Sequence, residues 1–118
     1  MIQQEFFSQL HEDVSLKDIQ EYIRKVIDLR GFGKQSAQTS MLLLLEETGE
    51  LAKAIRKSSP GMSVDVNKLH NYDTAESEVA DIFIVLLSIC NILNISLFDA
   101  LIDKEKTNCE RNWTINKS

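Results

Sequence analysis

The stretch Met41-Leu42-Leu43-Leu44-Leu45-Glu46-Glu47-Thr48-Gly49-Glu50-Leu51-Ala52-Lys53-Ala54-Ile55-Arg56-Lys57, answered further along by Glu78-Val79-Ala80-Asp81, decides how this chain is read. Glu47 and Glu50 are three residues apart, which on a helix puts them one turn apart and about 60° from each other. Glu78 and Asp81 repeat that spacing. Each pair abuts an apolar run, Met41–Leu45 on one side and Ile82–Leu87 on the other. If the two segments are antiparallel helical neighbours, four carboxylates converge at the edge of a dry core. Converging carboxylates repel one another, and a divalent cation relieves the conflict. A set of oxygen ligands alone selects hard ions such as Mg²⁺, with Mn²⁺ able to substitute. The bland alternative is a solvated acidic face with Glu50 paired to Lys53; two acid pairs at one spacing, each beside an apolar run, fit it poorly.

The rest of the chain supports helices around that pair. Ser15 reads as an N-cap with Asp18 three residues on. From Leu16 to Arg30 apolar residues recur at 16, 19, 22, 23, 26, 27 and 29, a helical spacing. Gly31-Phe32-Gly33 ends that helix. A second helix is predicted over 37–57, its Met41–Leu45 centre apolar all round and so buried, its basic end Lys53, Arg56 and Lys57 suiting the dipole. Ser58-Ser59-Pro60-Gly61 stops it, and 58–72 reads as the long loop. Asp73 or Thr74 caps a third helix reaching about Asn94; Ser96, with Asp99, caps a fourth reaching about Asn112. Residues 1–14 fit a short helix or an arm, and 114–118 a frayed tail.

Composition agrees. With 118 residues there is room for one domain, taken as 1–118. Only 4 Gly and 1 Pro argue against a many-stranded β architecture. Eighteen acids against 13 bases give a net charge of −5, which disfavours a nucleic-acid polymer as partner. Cys90 and Cys109 lack paired spacing, so neither a zinc site nor a redox pair is expected, and Cys90 reads as a buried apolar residue. The N-terminus shows no basic region followed by an apolar run, so the cytoplasm is the expected compartment. The uncharged run Ile82–Phe98 is short for a membrane span and carries Ser88, Asn91, Asn94 and Ser96, so a buried helix is expected there. The fold class is therefore all-α, a four-helix bundle-type protomer. Its second and third helices carry more apolar surface than one small bundle hides, which predicts a dimer or tetramer.

At this point a resemblance takes over. Leu45 to Lys57, followed by Glu78-Val79-Ala80-Asp81, resembles the EExxE, spacer, ExxD motif of the MazG-like nucleotide pyrophosphohydrolases. Leu16 to Phe32 and the ending Lys104…Asn108…Arg111-Asn112-Trp113 are similar as well, so the likeness spans roughly 15–113. It implies an all-α nucleoside triphosphate pyrophosphatase, dimeric or a dimer of dimers. Such an enzyme cleaves between the α and β phosphates to give a monophosphate and pyrophosphate, in house-cleaning or dNTP-pool control. On that likeness Glu47, Glu50, Glu78 and Asp81 match the Mg²⁺ ligands. Glu46 matches an acid that binds a second ion or orients the attacking water. Lys104, Asn108 and Arg111 match positions near the phosphates or the closing end of the domain.

From the residues themselves, Lys53 and Lys57 read either as phosphate-reaching or as dipole and solvent residues, Phe32 reads either as stacking on a base or as packing, and Trp113 reads as a core-edge anchor for the last helix. His11 and His70 receive no role. Two rival classes fit the sequence less well. A ferritin-like di-iron bundle needs Glu three residues before His, but Ser8 and Asn67 stand at those positions. A non-catalytic helical interaction module would leave the converging acids purely destabilising.

Overall fold

The computed structural model describes residues 2–61 and 74–115. Among them lie five α-helices and no strand: α1 (Ile2–Phe7), α2 (Leu16–Leu29), α3 (Ala37–Ser58), α4 (Ala75–Ile92) and α5 (Leu97–Cys109). The all-α expectation holds, and the 1–14 segment takes its helical option. Hydroxyl caps start the four longer helices. Ser15 Oγ accepts from Asp18 N, Ser36 Oγ from Thr39 N, Thr74 Oγ1 from Ser77 N and Ser96 Oγ from Asp99 N, at 3.0–3.3 Å. Each bond satisfies an amide that the first helical turn leaves without a partner. Of the two candidates for α4, Thr74 caps.

Two helices end in the same way. After α2, Gly31 takes φ 90°, and Phe32 N donates to Ile27 O at 3.0 Å. After α4, Asn94 takes φ 56°, and Ile95 N donates to Cys90 O at 2.8 Å. Both are left-handed closures, for which Gly and then Asn are the natural residues. Helix α4 thus stops at Ile92, short of the expected Asn94, because Asn94 itself makes the closing turn. It also lets α5 leave at 97° to α4. Helix α5 ends at Cys109 rather than near Asn112. Trp113 is 71% exposed and not a core anchor; its Nε1 donates to Asn108 O at 2.9 Å, covering a carbonyl at the helix end. Part of the expected 58–72 loop, His70 and 116–118 of the tail lie outside the described residues.

Helices α3 and α4 form the main pair, and α2 packs across α4. Their shared core is small: Ile23 and Val26 from α2, Ala54 from α3, and Leu87 and Cys90 from α4. Gln20 ties α2 to the far end of α4. Its Nε2 donates to Asn91 Oδ1 and Ile95 O, its Oε1 accepts from Leu97 N, and Asn91 Nδ2 donates to Gln20 O. Helix α5 packs on α2 and α1 on the other end of α2.

The centre of α3 departs from expectation. Met41, Leu42 and Leu45 are exposed, and among the described residues α3 packs chiefly against α4. Val79, Phe83 and Leu86 on α4 and Phe98, Leu101 and Ile102 on α5 are exposed too. The protomer presents 9159 Å² of surface, against about 6,500 Å² for a compact chain of this mass. Its radius of gyration is 17.8 Å, against roughly 13.5 Å. Among the described residues no single helix is long and apolar enough to cross a membrane.

Candidate metal centre and adjoining cavity

Helices α3 and α4 run antiparallel. Glu47 of α3 faces Glu78 and Asp81 near the start of α4, while Ser40 and Leu43 lie beside Ile84, Val85 and Ser88 further along it. One carboxylate oxygen from each of Glu47, Glu78 and Asp81 lies within 4.8 Å of the other two. Glu78 is 2% exposed, and Glu47 and Asp81 are half-buried. Among the described residues no ion pair involves Glu47 or Asp81.

Three carboxylate oxygens this close suit a hard divalent cation. Mg²⁺ holds oxygens at about 2.0–2.1 Å, so ligands on opposite sides of one ion stand roughly 4.2 Å apart. The 4.8 Å limit within which the three oxygens lie is close to that separation. The donor set contains oxygen alone, the chemistry that suits hard cations.

The structure brings together three of the four expected acids. Glu50 is exposed, and its Oε1 lies 3.4 Å from Lys53 Nζ on the next turn. Glu46 is also exposed. Lys104 and Arg111 are exposed and Asn108 half-buried, at or just beyond α5. Arg111 lies over the Trp113 ring at 5.9 Å, and Asn108 Nδ2 donates to Glu105 Oε1 at 3.2 Å.

Two turns further along α4 from Asp81, a cavity of about 300 Å³ opens between α2, the turn that follows it, and α4, with Ser40 of α3 at its edge; Asp28, Phe32, Gly33, Gln35 and Ser88 are among its lining residues. Ser40 is buried and its Oγ donates to Gln35 Oε1 at 3.3 Å; Ser88 Oγ donates to Ile84 O at 3.0 Å. A Cβ at Gly33 would run into Asp28 Oδ1, so the carboxylate rests where only glycine leaves room. Phe32 is 53% exposed at the rim. Of these residues the sequence reading singled out Phe32 alone. A usable signal was present: Ser40 precedes Glu47 by seven residues, and Ser88 follows Asp81 by seven. Two turns of helix return almost to the same face.

The MazG nucleotide pyrophosphohydrolase domain matches residues 35–111. The chain belongs to the MazG family. All three clustered acids and both serines fall inside the match. A relative from Bacillus subtilis (strain 168), "Uncharacterized protein YpjD", is 31% identical over 108 residues, covering 86% of this chain and 93% of that protein. No solved structure gives a significant match. MazG membership accounts for the all-helical architecture and for acids on facing helices, and it supports nucleotide pyrophosphohydrolase chemistry for the chain.

Proposed function

We propose that this chain is a Mg²⁺-dependent nucleoside triphosphate pyrophosphohydrolase that releases a monophosphate and pyrophosphate. The observation that carries the reading is the meeting of Glu47, Glu78 and Asp81 across α3 and α4 within a MazG match. In it, these three side chains hold the ion against the α3–α4 seam, and the burial of Glu78 keeps that ligand in one place. The bound ion supplies Lewis-acid stabilisation for the charge that builds on the phosphates. Glu50 joins as a fourth ligand by releasing Lys53, since an exposed i,i+3 pair holds it by only ~0.5 kcal/mol. Lys53, thereby freed, turns toward phosphate. Glu46 orients the attacking water. Lys104, Asn108 and Arg111 approach the phosphates from α5, and Phe32 stacks on the base.

The exposed apolar residues of α3, α4 and α5 support a homodimer or homotetramer. Such clustered apolar residues are of the kind an obligate interface hides. We place the working unit in the cytoplasm as one domain, acting in house-cleaning or dNTP-pool control, with no nucleic-acid polymer or membrane as partner.

A screen of common and damaged nucleoside triphosphates with Mg²⁺, read for released phosphates, tests the reading. Pyrophosphate from at least one substrate, abolished by excess EDTA, is expected. Orthophosphate as the first product, or full activity in EDTA, overturns it.

A further inference from the structure

The cavity two turns along α4 from the acids has the position and chemistry to choose a base. Ser40 and Glu47 stand two turns apart on one face of α3, and Ser88 and Asp81 do the same on α4. Seven residues rise about 10 Å along a helix. The carboxylates therefore lie about two helical turns from Ser40 and Ser88, where α2 and the turn after it close a polar cavity against α4.

The polar groups lining that cavity are not equivalent. Asn91 is engaged on its other side with Gln20, through both its oxygen and its nitrogen. Arg24 is held by Glu21, with its Nε and Nη2 on the carboxylate. Ser40 gives its proton to Gln35 Oε1, so what Gln35 has left to offer is its NH₂. Ser88 gives its proton to Ile84 O and retains only acceptor capacity. Asp28, a carboxylate, is acceptor-only and charged when ionised. The lining thus offers donors from the Gln35 NH₂ and from the Arg24 N–H groups that Glu21 does not take, and acceptors from Ser40, Ser88 and Asp28.

We propose that this cavity receives the nucleobase and that Asp28 selects bases carrying an exocyclic amino group. The amino N–H donates to the Asp28 carboxylate, a charge-assisted bond. A neighbouring ring nitrogen or oxo group accepts from the Gln35 amide. Bases with an oxo group in place of the amino group set an oxygen against the carboxylate and lose that bond. Gly33 is part of the device, because a side chain there would displace the Asp28 carboxylate.

The inference rests on the nucleotide reading above, and its test separates the two. Binding of dCMP against dUMP, and of AMP against IMP, is measured by calorimetry for the wild type and Asp28→Ala, beside pyrophosphate release from the matching triphosphates. Asp28 is exposed, so its truncation leaves the core untouched. The wild type should bind the amino-bearing member of each pair roughly tenfold or more tightly, the worth of a hydrogen bond to a charged group. That ratio should fall toward one in Asp28→Ala. Equal binding within each pair, preference for the oxo member, or a ratio unchanged by Asp28→Ala overturns the inference. Turnover without base preference refutes it while leaving the pyrophosphohydrolase reading intact. Base-selective binding without turnover does the reverse, and neither binding nor turnover refutes both.

Discussion

A carboxylate oxygen of Glu47 on α3 lies within 4.8 Å of one of Glu78 on α4, although both side chains carry negative charge when ionised. Asp81 adds a third charge within the same distance. Like charges several ångströms apart near a protein surface cost on the order of 1 kcal/mol or more. Replacing Asp81 by Asn keeps the shape and removes one charge. Metal-free protein should then melt roughly 3–6 °C higher. Added Mg²⁺ should raise the melting temperature of the wild type and much less that of the variant, because linked stabilisation follows affinity for the folded state. Melting curves in EDTA and in Mg²⁺ check both directions.

Glu50→Gln should behave differently in EDTA. Its carboxylate is outside the cluster and on Lys53. An exposed pair of that kind is worth about 0.5 kcal/mol, so the metal-free melting temperature should stay within about 2 °C of wild type. The Mg²⁺-linked rise should nonetheless shrink if Glu50 belongs to the ligand set proposed above. A full-sized Mg²⁺ shift in this variant would remove Glu50 from the ligand set.

The exposed α3 face should govern assembly. Light scattering should give a multiple of the 13.5 kDa chain mass at micromolar concentration. Leu42→Asp with Leu45→Asp should shift it toward monomer, by placing charges where apolar contact is expected. A monomeric wild type would mean that the extended protomer is its own working form.

The two thiols should differ in reactivity. Burial pushes the Cys90 thiol above its ordinary value, whereas Cys109 is exposed. A thiol-alkylating reagent at neutral pH should label Cys109 first, and Cys90 only on unfolding. The linkage has a definite sign. The raised thiol is protonated in both states below the unfolded value, about 8.5, so its contribution is intact there. It is lost as pH rises through the folded value, because the unfolded chain ionises first. Cys90→Ala should flatten the decline in stability above about pH 8.5. Mass spectrometry of the alkylated peptides and melting curves against pH report these effects.

Much of this architecture was legible because it is locally encoded. Ser15 with Asp18, Ser96 with Asp99, and the Gly31 turn each act within a few residues, so the ends of α2 and the start of α5 follow from the sequence alone. The meeting of Glu47 with Glu78 and Asp81 was legible too, because i,i+3 acids beside apolar runs specify which helix faces adjoin. Asn94 was misread as helical; its left-handed turn is a choice among several an asparagine accepts. The exposure of Met41, Leu42 and Leu45 was invisible for another reason. An apolar surface predicts burial without saying whether its own chain or another copy provides it. The Gln35–Ser40 bond and the Asp28–Gly33 approach depend on side-chain rotamers and a turn path, neither of which spacing conveys.

The claim that Glu47, Glu78 and Asp81 run the reaction is tested most directly by one rate. Pyrophosphate release from the best triphosphate, in Mg²⁺, is compared between wild type and Asp81→Asn. The variant, folded and at least as stable as wild type in EDTA, should be slower by about three orders of magnitude or more, as expected when a group stabilising the transition-state charge is lost. A rate within a few-fold of wild type would contradict the account, because the acids meeting between α3 and α4 would then not be the site of the chemistry.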